Sequence, residues 1–209
     1  MMTQDLEIQQ GSAELKERDD KSSKQGNNEI VEWIKAIVIA VILVVLIRWL
    51  LFKPFIVDGP SMKPNFHTGE RLIVNEILYD VRDPKKGEVV VFHVPSEGRD
   101  FIKRVIAVAG DTVKVEGDTV YVNGEPIDEP YIQAEIDSRQ KQNLTYNDKD
   151  FPNDSFPDGK VPEGHIFAMG DNRSDSKDSR MIGYVPLGDI VGRADVIFWP
   201  VKDLEWINH

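Results

Sequence analysis

Phe101-Ile102-Lys103-Arg104-Val105-Ile106-Ala107-Val108 is the stretch that decides how this chain folds. It is rich in β-branched and aromatic residues, which suit a pleated, half-buried surface. In a strand, side chains alternate, so Phe101, Lys103, Val105 and Ala107 share one face and Ile102, Arg104 and Ile106 the other. Both faces are mostly apolar, which predicts a strand covered on both sides. Lys103 then has two readings. It snorkels to the rim, or it is desolvated and its pKa falls until the neutral amine can serve as a general base.

Strand patterns continue on either side. Phe55-Ile56-Val57, Arg71–Asn75 and Gly87–Val94 precede it, and Val113-Lys114-Val115 with Thr119–Val122 form a hairpin around Glu116-Gly117-Asp118. Asn123-Gly124 marks a tight turn. His165–Met169 and Val191–Trp199 supply later strands. No apolar stripe of helical period appears in this half of the chain. Residues 133–160 are rich in Asp, Asn, Gln, Lys and Pro and read as a polar insertion or mobile excursion outside the core. The expected fold is mainly β, a barrel-like antiparallel domain over 53–209 with that insertion.

The front of the chain differs. Residues 1–29 are polar and poor in aromatics and predict a disordered tail. Residues 30–52 contain the uninterrupted apolar run Ala36–Ile47. As a helix they would reach about 34 Å, enough for a hydrocarbon core of about 30 Å. Trp33 and Trp49 suit its two interfaces, and Lys35 and Arg48 can snorkel from its ends. No small-x-small cleavage site follows, so the stretch predicts one uncleaved N-terminal transmembrane anchor. Lysines and arginines before the span favour a cytoplasmic N-terminus with the large domain outside.

Asp and Glu number 36 against 25 Lys and Arg, a net charge of -11, which argues against a nucleic-acid partner. The absence of cysteine excludes disulfides, thiol catalysis and cysteine-ligated metals.

Gly59-Pro60-Ser61-Met62-Lys63-Pro64 follows the anchor. The two prolines keep Ser61 out of a regular helix and on a stiff bend. Ser61 is either an ordinary turn serine or a presented nucleophile. His67, His93, His165 and His209 stand in no recognisable serine-protease setting, which leaves serine with lysine as the economical pair. The polar stretch Gly170–Arg180 is either a solvated loop or a hydrogen-bonding scaffold in which Ser176, Asp178 and Arg180 act as supports. It fails as an EF-hand because Arg173 stands where an oxygen ligand is needed.

Gly-Pro-Ser-Met-Lys-Pro at 59–64, Phe-Ile-Lys-Arg-Val at 101–105 with Gly110-Asp111, and Gly-Asp-Asn-Arg at 170–173 with Asp178-Ser179-Arg180 resemble the ordered motifs of bacterial type I signal peptidases. The single span and compact insertion resemble the Gram-positive branch. The resemblance spans roughly Phe52 to Trp199. It implies a plasma-membrane serine endopeptidase, without metal or other cofactor, that removes signal peptides from exported preproteins after Ala-x-Ala-type sites. The implied partners are those signal peptides, the lipid bilayer and a nearby secretion translocon. Ser61 matches the nucleophile, Lys103 the general base, Ser176 the hydroxyl that orients the lysine, and Asp178 with Arg180 the supporting ion pair. Phe55, Val57, Met62 and Ile102 match positions near shallow pockets for small residues. The Ser61 N–H is one expected oxyanion donor. Some relatives carry a hydroxyl two residues before the serine; this chain has Gly59, leaving the second donor to a backbone N–H or water. Rival readings are a self-cleaving repressor-type Ser/Lys peptidase and a membrane-tethered β module that binds exported chains without cutting them.

Overall fold

The computed structural model describes residues 32–45 and 52–209. Residues 32–45 form helix α1, whose large apolar side chains, Trp33 through Val45, are exposed. The expected anchor at 30–52 lies only partly within the described residues, and the 1–29 tail lies outside them. Among the described residues no helix is long and apolar enough to cross a membrane. The chain divides into two compact units, Met1–Leu50 and Leu51–His209.

The second unit is built on antiparallel sheet. Its strands are β1 (Phe52–Ile56), β2 (Arg71–Asn75), β3 (Val89–Val94), β4 (Arg99–Val108), β5 (Val113–Glu116), β6 (Thr119–Val122), β7 (Glu125–Pro126), β8 (His165–Met169), β9 (Val185–Pro186), β10 (Ile190–Trp199) and β11 (Glu205–Trp206). Short helices α2 (Leu78–Val81), α3 (Gln133–Gln140) and α4 (Ser179–Ile182) lie between them. The large sheet runs β1-β2-β10-β3-β4-β8-β9, with β11 paired to β10, and a smaller sheet runs β5-β6-β7. β1 and β9 end the large sheet without pairing to each other. The sheet is therefore open, and the barrel-like expectation is corrected on that point. The late strand β10 sits in its middle between β2 and β3, a long-range pairing that strand propensity does not encode.

β3 alternates cleanly. Val89 and Val91 pack with Val57, Met62, Phe66, Leu72 and Ile102, while Val90, Phe92 and Val94 pack with Phe101, Val105, Ile166 and Ala168. Each fully buried side chain of this kind contributes about 1.5–3 kcal/mol relative to exposure. β4 is covered on both sides, as its composition predicts. Its strict alternation breaks at a bulge between Val105 and Ala107, after which Ile106 and Ala107 both join the cluster around the β5–β6 hairpin. The extra residue of a bulge shifts the side-chain phase.

The 133–160 segment is packed rather than outside the core. Ile136 and Tyr146 are buried with Ile132 in a small cluster of their own. Phe151 lies 4.5 Å, centroid to centroid, from Phe167 and exchanges backbone hydrogen bonds with Val115. Few apolar anchors suffice here because the buried polar groups of the segment find partners. Composition alone does not reveal that.

Candidate active site

The Ser61 turn is pinned from both ends. Val57 N–H donates to Glu70 O and Gly69 N–H to Val57 O, each at 2.9 Å, closing the loop that carries the serine. Lys63 N–H donates to Pro60 O at 3.0 Å within the turn. Gly59 has φ +99°, a conformation that L side chains rarely adopt. A hydroxyl-bearing residue would be strained there, which accounts for the glycine.

β4 presents Lys103 to this turn. Its Nζ lies 2.7 Å from Ser61 Oγ and donates to Ile102 O at 2.7 Å. Lys103 is only 3 % exposed. Burial lowers its pKa from 10.5 to about 8; Asp178 and Asp171 oppose that fall, and Arg99 and Arg180 reinforce it. An amine in this range is partly neutral near physiological pH and can take a proton from a hydroxyl.

The loop 170–180 closes against the pair. Asn172 N–H donates to Ser61 O at 3.0 Å and its Nδ2 to Pro60 O at 3.2 Å. The Arg180 guanidinium donates to both oxygens of Asp178, from Nε at 2.8 Å and Nη2 at 2.7 Å. Burial pushes the Asp178 carboxyl upward, but Arg180 and the Gly170 N–H outweigh it and hold its pKa below the ordinary value. Ser176 is buried beside Gly170 and Asp178. The hydrogen bonds of Lys103 Nζ go to Ser61 and Ile102, with none to Ser176. A Cβ on Gly170 would fall 2.2 Å from Ser176 Oγ and 2.5 Å from Ser61 O, so the loop approaches the serine as closely as a bare backbone allows.

A cleft of about 490 Å³ opens on the pair, lined by Phe55, Ile56, Ser61, Phe101, Ile102 and Lys103, with Asp58, Arg99, Asp175 and Lys177 among the charged groups at its walls. Of the four residues expected near substrate pockets, Phe55 and Ile102 line this cleft. Val57 and Met62, 1 % and 0 % exposed, are core residues packed with Ile102 and do not line the cleft. None of the four histidines lines it either. A larger cleft of about 1190 Å³, walled by His67, Glu70, Trp199 and Leu204, holds neither Ser61 nor Lys103.

Sequence reasoning missed the residues that hold the 170–180 loop. Glu129 pairs in a fork with Arg173, Tyr146 Oη donates to Asp171 O at 2.8 Å, and Arg180 donates to Asn147 Oδ1. Asn172 stood within a quoted motif and was findable. Glu129, Tyr146 and Asn147 lie in or beside a polar segment with no local signal. Among the described residues no group of three His, Asp or Glu is placed to hold a metal ion.

Residues 30–199 match the family described as signal peptidase, peptidase S26. A signal peptidase I from Bacillus amyloliquefaciens is 38 % identical over 191 residues, covering 91 % of this chain and 98 % of its own. Signal peptidase IB from Staphylococcus aureus (strain MRSA252) is 38 % identical over 180 residues, covering 85 % of this chain and 94 % of its own. A crystal structure of a signal peptidase I from Enterococcus faecalis V583 is 32 % identical and covers 54 % of this chain and 97 % of its own, with a TM-score of 0.49.

Proposed function

This chain belongs to the signal peptidase family S26, a serine peptidase that removes signal peptides from preproteins, and on that premise we propose that Ser61 and Lys103 carry out the cleavage. The observation that carries the reading is the 2.7 Å approach of a buried, pKa-lowered lysine amine to the hydroxyl of a pinned serine.

The neutral Lys103 amine takes the Ser61 proton as Oγ attacks the scissile carbonyl. The resulting ammonium returns that proton to the leaving amine, giving an acyl ester on Ser61. Lys103 then takes a proton from water, which attacks the ester, and the proton goes back to Ser61 Oγ as the acid leaves. The Ser61 N–H serves the oxyanion, and the second donor is a backbone N–H or water, since Gly59 offers no side chain. Asp178 and Arg180 support Lys103, and Ser176, buried beside Gly170 and Asp178, is the hydroxyl assigned to orient that lysine.

The substrate lies extended beside Phe55 and Ile102. Two features support this. β1 is an edge strand, and β8 pairs with β4 only at Arg104–Val108, so the edge at Arg99–Lys103 is not covered by β8. An added strand gains main-chain hydrogen bonds and turns only alternate side chains into the cleft, which suits small residues one and three positions before the cut. Anchoring through residues 30–52 and an extracytoplasmic domain beside the bilayer and translocon complete the proposal. Trp199 and Trp206, 50 % and 75 % exposed, are its candidate contacts with lipid.

The test is cleavage of a preprotein carrying an Ala-x-Ala site. Wild type is expected to cut after the second alanine, with Ser61→Ala and Lys103→Ala each losing roughly 10⁴-fold or more while remaining folded. Equal cleavage by Ser61→Ala would overturn the pair.

A further inference from the structure

Arg180 is fully buried and spends two of its nitrogens on Asp178. Its remaining nitrogen, Nη1, donates to Asn147 Oδ1. Asn147 is itself buried, and its Nδ2 donates to Gly117 O in the β5–β6 turn. Its backbone is fixed as well, because Asp118 Oδ1 accepts from Tyr146 N–H at 2.7 Å and from Asn147 N–H at 2.9 Å. A guanidinium only donates and a carbonyl only accepts, so this position needs one acceptor and one donor on the same short side chain, and Asn meets that requirement.

We propose that Asn147 is a positioning residue for the reaction, acting on Lys103 through Arg180 and Asp178. The chain of contacts runs from the hairpin turn at Gly117-Asp118 through Asn147 and Arg180 to the Asp178 carboxylate. That carboxylate accepts from Gly170 N–H at 3.0 Å, and Ser61 O lies 2.5 Å from where a Cβ on Gly170 would stand, so Asp178 fixes the backbone packed against the Ser61–Lys103 pair; its charge also favours the Lys103 ammonium. The inference rests on the Ser61–Lys103 reading given above. It assigns a task in that reaction to the packed 133–160 segment, which reads as an excursion in the sequence.

Two substitutions separate positioning from bulk support. Asn147→Leu keeps the branched shape and leaves both Arg180 Nη1 and Gly117 O without this partner. Asn147→Asp keeps a partner for Arg180 but adds a negative charge at the far side of Arg180, one of the charges, with Asp178, Asp171 and Arg99, that act on Lys103. Around Asn147 itself the charged neighbours are Arg180 and Asp118, with Asp150 accepting from Gly117 N–H at 3.0 Å.

The experiment measures kcat and KM of the full chain on an Ala-x-Ala preprotein across pH, with Ser61→Ala as control and thermal melts of each variant. Asn147→Leu is expected to lower kcat roughly tenfold with KM within about twofold of wild type. Asn147→Asp is expected to move the acid limb of the rate profile up by about half a pH unit, because added negative charge favours the protonated amine. Wild-type kcat and an unmoved limb in Asn147→Asp would overturn the proposal whether or not Asn147→Leu folds. A fall in kcat in both variants with the limb unmoved would also overturn it, since that is structural support alone. Loss of Asn147 sensitivity with Ser61→Ala inert leaves the Ser/Lys reading standing, whereas an active Ser61→Ala removes both.

Discussion

Lys103 and Arg104 are neighbours on β4, both buried, and they meet opposite electrostatic fates. Lys103 has a hydroxyl and a carbonyl oxygen within hydrogen-bond reach and no carboxylate, and burial draws its pKa down to about 8. Arg104 donates to both oxygens of Asp171, at 2.9 and 2.8 Å, and its guanidinium stands 4.0 Å from the Tyr131 ring centroid. Burial opposes its charge, but Asp171 outweighs burial and raises its pKa above the ordinary value. Burial therefore does not set the charge state by itself; the partner does. One strand supplies a cation that stays charged and holds the 170–180 loop, and beside it an amine that can be neutral.

The strongest way to break this contrast is to give Arg104 the isolation of Lys103. Asp171→Ala leaves a buried guanidinium without its carboxylate and is expected to cost about 3–5 kcal/mol of stability in chemical denaturation. The double change Asp171→Leu with Arg104→Met should recover much of that loss, because removing both members of a buried pair spares the unpaired charge.

The next effect has the opposite sign. Lys103 has a folded-state pKa of about 8 against an ordinary 10.5, so below pH 8 the folded protein carries a strained ammonium. Between those two values the unfolded chain holds more protons, and stability rises with pH. Lys103→Met is expected to be inactive yet more stable by about 3 kcal/mol at pH 7, with the gain shrinking as pH passes from 8 to 10.5. A gain independent of pH would assign it to packing rather than charge. With Lys103 as the proposed base, activity should rise with pH through about 8.

The smallest effect marks the exposed end of the comparison. Lys177 pairs with Glu97 at the surface, with side chains 46 % and 26 % exposed. Glu97→Ala should leave the melting temperature unchanged, since solvent already screens such a pair.

Much of the site could be read in advance. Ser61 between two prolines, and Lys103 on an apolar strand, are local patterns with local causes. So is the 113–122 hairpin, where alternation and a Gly-Asp turn coincide. What escaped the reading is nonlocal. β10 reaches the middle of the sheet through partners about a hundred residues away or more, and the sheet stays open because β1 and β9 do not meet. Val57 and Met62 flank the serine turn yet pack into the core beneath it, since local spacing does not say which way a turn leans. Glu129 and Asn147 look like solvated residues in a polar segment. Their burial is tolerated because partners arrive from elsewhere in the chain, Arg173 and Arg180 from a distant loop among them.

Gly170 turns this packing into a statement about heredity. Every change of amino acid at that codon adds a Cβ, and the Cβ has nowhere to go between Ser176 and the carbonyl of Ser61. The residue carries no functional group and does not line the cleft, yet a saturation library read out by secretion would show it as intolerant as the proposed nucleophile, Ser61. Adjacent codon 171, whose carboxylate holds Arg104, would fail for a different reason, by loss of charge rather than by lack of room. A mutational map of this loop would thus separate positions that must do something from one that must stay out of the way.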